Sequence, residues 1–270
     1  PVLLTGGGAL DPAVAAEIDR LGATGAYLLG GTGALSEQVE ADLQARGIGD
    51  ITRLAGASRF ETAARIGERV VGSRVGQVPV YVVEGASADP GRGWPDAVSV
   101  SGLAALHGRP ILLVVRDRLP EETRAALGAL GVDAATVVGG PAAVSDQVAA
   151  AVADYDGDGD ADAAVTRLAG VTRYETSRAV ADRSVADGAN PALTWFATGR
   201  NYPDALAAGP AVGDSGGVLL LLDGQGLDGS PPARAWLTEH RSAFTLIRLV
   251  GGPAAISAAV EDEIRATVGA

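Results

Sequence analysis

RLAGASRFET, from Arg53 to Thr62, returns as RLAGVTRYET, from Arg167 to Thr176, and this repetition decides the architecture. Outward from it, WPDA at Trp94–Ala97 recurs as YPDA at Tyr202–Ala205. A third signature occurs three times, as GGTGALSEQVEADL from Gly30, GGPAAVSDQVAAAV from Gly139 and GGPAAISAAVEDEI from Gly251. The repeating unit is about 110 residues, the size of a small domain rather than of a solenoid repeat. PVLL at Pro1–Leu4 aligns with PILL at Pro110–Leu113, so two full copies follow the second half of another. The spacing divides the chain into residues 1–51 (half of copy one), 52–153 (copy two), an Asp-rich linker at 154–163, and 164–270 (copy three).

Within copy two, apolar runs alternate with helical patterns. Strands are expected at Val78–Val83, Ile111–Val115 and Thr136–Val138, with a short one at Thr52–Leu54. Their continuous Val/Ile/Leu character is that of parallel strands covered on both faces. Helices are expected at Phe60–Val70, Asp96–Leu106, Glu121–Leu130 and Ser145–Val152, with Pro120, Ser36 and Ser145 marking starts. The fold class is therefore α/β, in tandem small three-layer α/β/α domains. The half copy supplies at most two strands and two helices.

The chain has 270 residues and a formal net charge of −12, and each of its 21 basic residues is Arg. Cys, Met and Lys are absent and the histidines are His107 and His240, which excludes thiol nucleophiles, disulfides, Schiff-base lysines and Walker lysines. No basic run exists for nucleic acid, and no apolar stretch reaches the roughly 20 residues that span a bilayer. A chain without Met that begins at Pro1 is expected to derive from a longer precursor, and the lack of Cys favours an extracellular setting.

The candidate binding residues lie in the repeated motifs. Arg53, Arg59, Arg167 and Arg173 flank a loop that enters a helix, and the planar guanidinium suits carboxylates or phosphates. Two readings stay open: an internal clamp with Asp96 or Asp204 as partner, or arginines that face a ligand. Trp94 with Asp96, and Tyr202 with Asp204, set an aromatic before a helix-starting acid, where the ring either stacks on a sugar or covers the core. Six extra residues between Gly85 and Asp96 read as a surface loop. Each histidine is expected to meet helix C-terminal carbonyls, and each GG doublet to make a tight turn with positive φ.

Outside the repeat, DYDGDGDAD at Asp154–Asp162 places Asp154, Asp156, Asp158, Asp160 and Asp162 on alternate positions with Gly159 in sixth place. This is the start of a calcium loop, with Asp160 giving its carbonyl and Asp162 a ninth-position ligand. Val165 stands where the bidentate Glu belongs, so Ca2+ bound here is held weakly; a solvated acidic linker is the alternative.

RLAGxxRxET, the aromatic-PDA loop, the PILLV strand and the closing GGPAAVS helix, in this order in copies two and three, resemble the cell-wall-binding repeat type 2 family of Gram-positive surface proteins. The resemblance implies Toprim-like repeats around a pseudo-threefold axis and no catalytic role. It also implies a secreted protein at the cell wall, non-covalent anchoring to an anionic, teichoic-acid-like polymer or polysaccharide, and an effector domain elsewhere in the full-length protein. A surface-layer or scaffold protein contacting other subunits is the rival reading, followed by a metal-dependent phosphoryl-transfer enzyme.

Overall fold

In the computed structural model, which describes residues 1–74 and 77–269, every named strand pairs in parallel and every sheet is built from βα connections. The elements run α1 (Pro12–Leu21), β1 (Gly25–Leu29), α2 (Glu37–Gln44), β2 (Asp50–Leu54), α3 (Arg59–Val71), β3 (Pro79–Ala86), α4 (Pro95–His107), β4 (Ile111–Val115), α5 (Glu121–Leu130), β5 (Ala134–Val138) and α6 (Asp146–Ala153). They continue through β6 (Ala164–Leu168), α7 (Arg173–Ala186), β7 (Leu193–Thr198), α8 (Pro203–Asp214), β8 (Val218–Leu222), a 3₁₀ turn at Leu227–Gly229, α9 (Pro231–His240), β9 (Leu246–Val250) and α10 (Ala258–Val268). The helices and strands expected in copy two are all present within a few residues. No helix among the described residues is long and apolar enough to cross a membrane.

Three sheets form, in the orders β1-β2, β4-β3-β5-β6 and β8-β7-β9. One expectation is corrected here. The strand opening each motif copy does not join its own copy's sheet: β2 pairs with β1, and β6 pairs with β5. The covalent repeat and the sheet are offset by one strand, because the loop after each GG-turn helix returns the chain to the preceding unit's open edge. PVLL forms no strand, since its counterpart β4 pairs only with β3 and the first unit has no strand of that kind among the described residues. We call the three sheets with their covering helices units one, two and three.

The alternation of β3 explains the layers. Val80 and Val82 face one side with Ala64, Val71, Leu112, Leu127, Val148 and Val152, under α3, α5 and α6. Tyr81 and Val83 face the other side with Val100, Leu103 and Ala104 of α4. In unit three, Phe196, Leu220, Leu222 and Trp236 make the outer core, while Ala197, Leu219 and Leu221 meet α8. Helices α4 and α8 pack side by side between the sheets of units two and three. Their approach is close: a Cβ on Gly102 would lie 2.9 Å from Val212, one on Gly209 2.6 Å from the Cβ of Ser101, and one on Gly213 2.5 Å from the Cβ of Ala105.

Candidate functional site

The RLAGxxRxET motif is explained almost entirely within the fold. Arg167, on β6, donates from Nη1 to the carbonyls of Gly139 (2.7 Å) and Val144 (2.9 Å) and from Nη2 to Asp146 (3.0 Å). Arg53 on β2 makes the same set with Gly30, Leu35 and Glu40, at 2.9, 2.9 and 3.0 Å. Each guanidinium thus holds the glycine turn and the start of the next helix. The clamp reading holds for these two, with a correction: their acidic partners are Glu40 and Asp146, which lie beside them on α2 and α6, rather than Asp96 or Asp204.

The rest of the motif caps a helix. Ser58 and Thr172 accept the N–H of Glu61 and Glu175, and the Glu carboxylates accept from Ala57, and from Val171 and Thr172. Thr62 and Thr176 accept the N–H of Gly56 and Gly170 at 3.1 Å. Those glycines carry no Cβ because one on Gly170 would meet the Cβ of Glu175 at 2.1 Å. The second Arg reaches the end of the neighbouring strand: Arg59 donates to the Gly85 carbonyl and Arg173 to that of Gly199, each at 2.8 Å.

Of the four, Arg173 lines a large cleft. About 880 Å³ in volume, it opens between units two and three and is walled by Glu84, Arg92, Trp94 and Asp96 on one side, Gly170–Thr176 on the second, and Pro231, Pro232 and Ala235 on the third. Arg173 Nη2 donates to the Gly91 carbonyl across the units (2.8 Å), and its Cζ stands 5.2 Å from the centroid of Trp94. The six-residue insertion is therefore a wall of the cleft, carrying Gly91 and Arg92. Arg92 pairs with the buried Glu84 (3.4 Å) and donates to the Ala142 carbonyl.

Asp96 tucks against the glycine turn: a Cβ on Gly139 would be 2.4 Å from its Oδ2. Burial, and then the charge of Glu84, push the Asp96 carboxyl up to about 6 against the pull of Arg173 and Arg92. Burial likewise raises Glu84, opposed by Arg92. Asp204 repeats the packing in unit three, 2.6 Å from a Cβ on Gly251, but Tyr202 and Asp204 are outside the cleft lining. Tyr202 is half exposed, with its ring 6.1 Å from that of Trp94. Sequence reasoning missed Glu84 and Arg92. A carboxylate ending the apolar run Val78–Val83 was the available signal, since a charge at that depth needs a partner.

The glycine turns have the expected positive φ, 125°, 113° and 118° at Gly30, Gly139 and Gly251. Ser145 and Ser36 stand at the N-caps of α6 and α2 as expected; Ser145 accepts the N–H of Val148, whereas the Ser36 hydroxyl makes no capping bond and donates to the Gly8 carbonyl. Both histidines occupy the last turn of a helix, α4 and α9, as expected; their rings turn to side chains, His107 Nε2 facing Asp187 at 3.7 Å and His240 lying tilted 4.2 Å from Trp236. Of the five linker carboxylates, those of Asp154, Asp156 and Asp162 converge within 4.8 Å of one another. Asp158 does not join them and accepts the N–H of Asp160.

A family model described as cell wall binding domain 2 (CWB2) matches residues 53–149 and 167–261, more than half of the chain. The chain belongs to the CWB2 family. Both matches begin at the Arg of the RLAG strand. This CWB2 chain is 24% identical over 266 residues to the N-acetylmuramoyl-L-alanine amidase LytC of Bacillus subtilis, and 24% over 264 residues to the amidase enhancer of the same organism. It spans 48% and 33% of their lengths, with 98% of its own covered by each. Cwp6 from Clostridium difficile superposes with a TM-score of 0.82 at 21% identity, covering 99% of this chain and 40% of that one. Cwp8 from the same species gives 0.79 at 25%, covering 100% and 43%.

Proposed function

We propose that this cell-wall-binding domain receives a segment of wall glycopolymer in the cleft between units two and three, and so holds a secreted protein non-covalently at the wall without catalysing a reaction. The cleft carries the reading. It joins two aromatic rings (Trp94 and Tyr174), two arginines and three carboxylates (Glu84, Asp96 and Glu175) in a space sized for a few sugar residues. Arg92 and Arg173 spend donors on Ala142, Gly199 and Gly91, so what remains for a ligand is a few N–H groups and acceptors suited to hydroxyls. At a net charge of −12, long-range attraction does not draw in an anionic chain, which must be held by local contacts. The relatives, an amidase and an amidase enhancer of which this chain spans half or less, support an effector activity elsewhere in the full-length protein, and the teichoic-acid-like nature of the polymer belongs to the same proposal.

The test is sedimentation with isolated cell walls, before and after their secondary polymers are stripped. Stripping should abolish binding, and Trp94→Ala or Arg173→Gln should weaken it about tenfold, a loss near 1.4 kcal/mol. Undiminished binding to stripped walls, or indifference to both changes, would reject the cleft. Incubated walls should release no soluble fragments. The linker joins the proposal through its three converging carboxylates, which suit weak Ca2+. Calcium should raise the melting temperature relative to chelator, and Asp156→Asn should remove the rise; no rise would leave a solvated linker.

A further inference from the structure

The strands of unit two begin, as well as end, at a concave surface. Arg74, which follows α3, and Gln77 and Pro79 at the start of β3 stand across from His107, Arg109 and Pro110, which join α4 to β4, around a cavity of about 220 Å³. This cavity opens at the N-terminal ends of β3 and β4. The cleft between units two and three lies at the C-terminal end of β3, so the length of that strand separates the two sites by roughly 25 Å.

The chain carries 33 acidic residues against 21 arginines. Among the described residues, however, neither Arg74 nor Arg109 pairs with a carboxylate. Asp187, which His107 Nε2 faces at 3.7 Å, is held by Arg183 at 2.7 Å. Each of the two guanidinium groups is fixed instead by one neutral oxygen: Arg74 Nη1 donates to the Gly108 carbonyl at 2.9 Å, and Arg109 Nη1 to the Tyr81 hydroxyl at 3.3 Å. The Arg109 Cζ also lies 6.0 Å from the ring centroid of Tyr81, which is itself buried. The Nε and Nη2 groups of both arginines have no acceptor among the described residues. Open carbonyls at the end of α4 would repel an anion. They are closed, because Ala104 and Ala105 accept the N–H groups of Arg109 and Gly108 at 2.9 and 3.2 Å and Arg74 covers the Gly108 carbonyl.

The fold does not require these charges. Unit three sets Trp195 opposite Leu219 as unit two sets Tyr81 opposite Ile111. Two residues before those partner positions stand Gly217 and Arg109, and four before stand Ser215 and His107. Arg74 follows Arg59 at the same spacing as Gly188 follows Arg173. Unit three thus builds the same strands and helices with Gly188, Ser215 and Gly217 at these places, so the arginines of unit two serve something other than the sheet. Two guanidinium groups held in place with donors to spare are suited to a tetrahedral dianion. We propose that Arg74 and Arg109, with the Gln77 amide and the His107 ring beside them, bind a dianionic phosphate group, either inorganic phosphate or a monoester. A phosphodiester, with one charge and substituents on two sides, fits less well. The claim is independent of what the cleft binds.

The test is a titration of the 270-residue chain with inorganic phosphate at about pH 7.5, where the dianion prevails, against chloride at matched ionic strength. NMR follows the backbone amides and the Arg Nε–H groups. The Gly108 and Arg109 amides and the Nε–H groups of Arg74 and Arg109 should shift saturably, with a Kd on the order of 1 mM. Methyl phosphate should bind within about threefold of inorganic phosphate, and dimethyl phosphate at least about tenfold more weakly, since it forfeits one charge-assisted contact. Arg74→Gln and Arg109→Gln should each weaken binding at least about fivefold, while Arg241→Gln, at an exposed arginine after α9, should leave it unchanged. Arg109 also braces Tyr81, so Arg74→Gln, at an exposed side chain, decides the matter if the Arg109 variant does not fold. Shifts that fail to saturate, that spread equally over arginines elsewhere, or that survive the Arg74 substitution would overturn the site. Equal affinity for dimethyl phosphate would overturn the choice of a dianion. Neither the probes nor the variants involve Trp94 or Arg173, so failure here and failure of wall binding in the cleft are read separately.

Discussion

At the residue scale, the informative groups are those whose surroundings work against their charge. Asp96 sits on the cleft floor with its carboxyl pushed up to about 6 from 3.8, so the folded state holds a proton that the unfolded chain releases. The sign follows by linkage. This group's contribution to stability is complete below its unfolded value near 3.8 and is lost as pH rises through about 6. Glu84, also raised, adds a slope of the same sign. Asp223, Asp42 and Glu122 are lowered, and lose their contribution only in more acidic solution, as pH falls through their folded values. Between pH 5 and 7.5 the cleft carboxyls therefore dominate, and unfolding free energy should fall by on the order of 1 kcal/mol from Asp96. Asp96→Asn should flatten that fall to the residual slope of Glu84; denaturant melts of both proteins at the two pH values provide the check, and parallel slopes would refute the assignment.

At the element scale, the α4–α8 contact determines how units two and three sit together. Ser101, Gly102 and Ala105 meet Gly209, Val212 and Gly213 so closely that no larger side chain fits. Gly213→Val would drive a branched side chain into Ala105 and the Leu106 backbone, an overpacking cost of typically 1–3 kcal/mol. The substitution should lower the melting temperature and widen the cleft, seen as greater exposure of Trp94 in its emission, whereas an exposed control such as Gly49→Ala in unit one, where a Cβ meets nothing within 4 Å, should leave Trp94 unmoved. Much at this scale was legible beforehand. β4 and α5 match their expected bounds because unbroken apolar runs and Pro120 mark them. Strand pairing was not: the pattern of β2 and β6 says strand, but no single-strand pattern says whose edge it completes. The site was legible where chemistry repeats, as at Trp94, Asp96 and Arg173, and illegible at Arg92, whose partners Glu84 and Ala142 converge only through the fold.

At the scale of the whole molecule, the units differ in how much core holds them. Unit one rests on Leu28, Val39, Leu43 and Ile48 around two strands, and leaves Tyr27 and Leu29 about half exposed. Unit two buries β3 on both faces, and unit three adds Phe196, Trp236 and the fully buried β8. Apolar burial at about 25 cal/mol per Å² sets local stability, so the three should open at different free energies. Unit one is joined to the rest through β2 leading into α3, whose own packing is on β4 and α5, and through the Arg69–Tyr27 contact. β2 can therefore leave with unit one while α3 stays. Native-state hydrogen exchange in rising denaturant should show amides of β1 and α2 losing protection first, and amides of β3, β5 and β7 converging only on global unfolding. A single isotherm for all three units would refute the ordering. Because the cleft lies between units two and three, denaturant sufficient to open unit one alone should leave wall binding intact, and Tyr27→Ala, which removes the ring that Arg69 covers, should lower the protection of β1 without reducing the bound fraction.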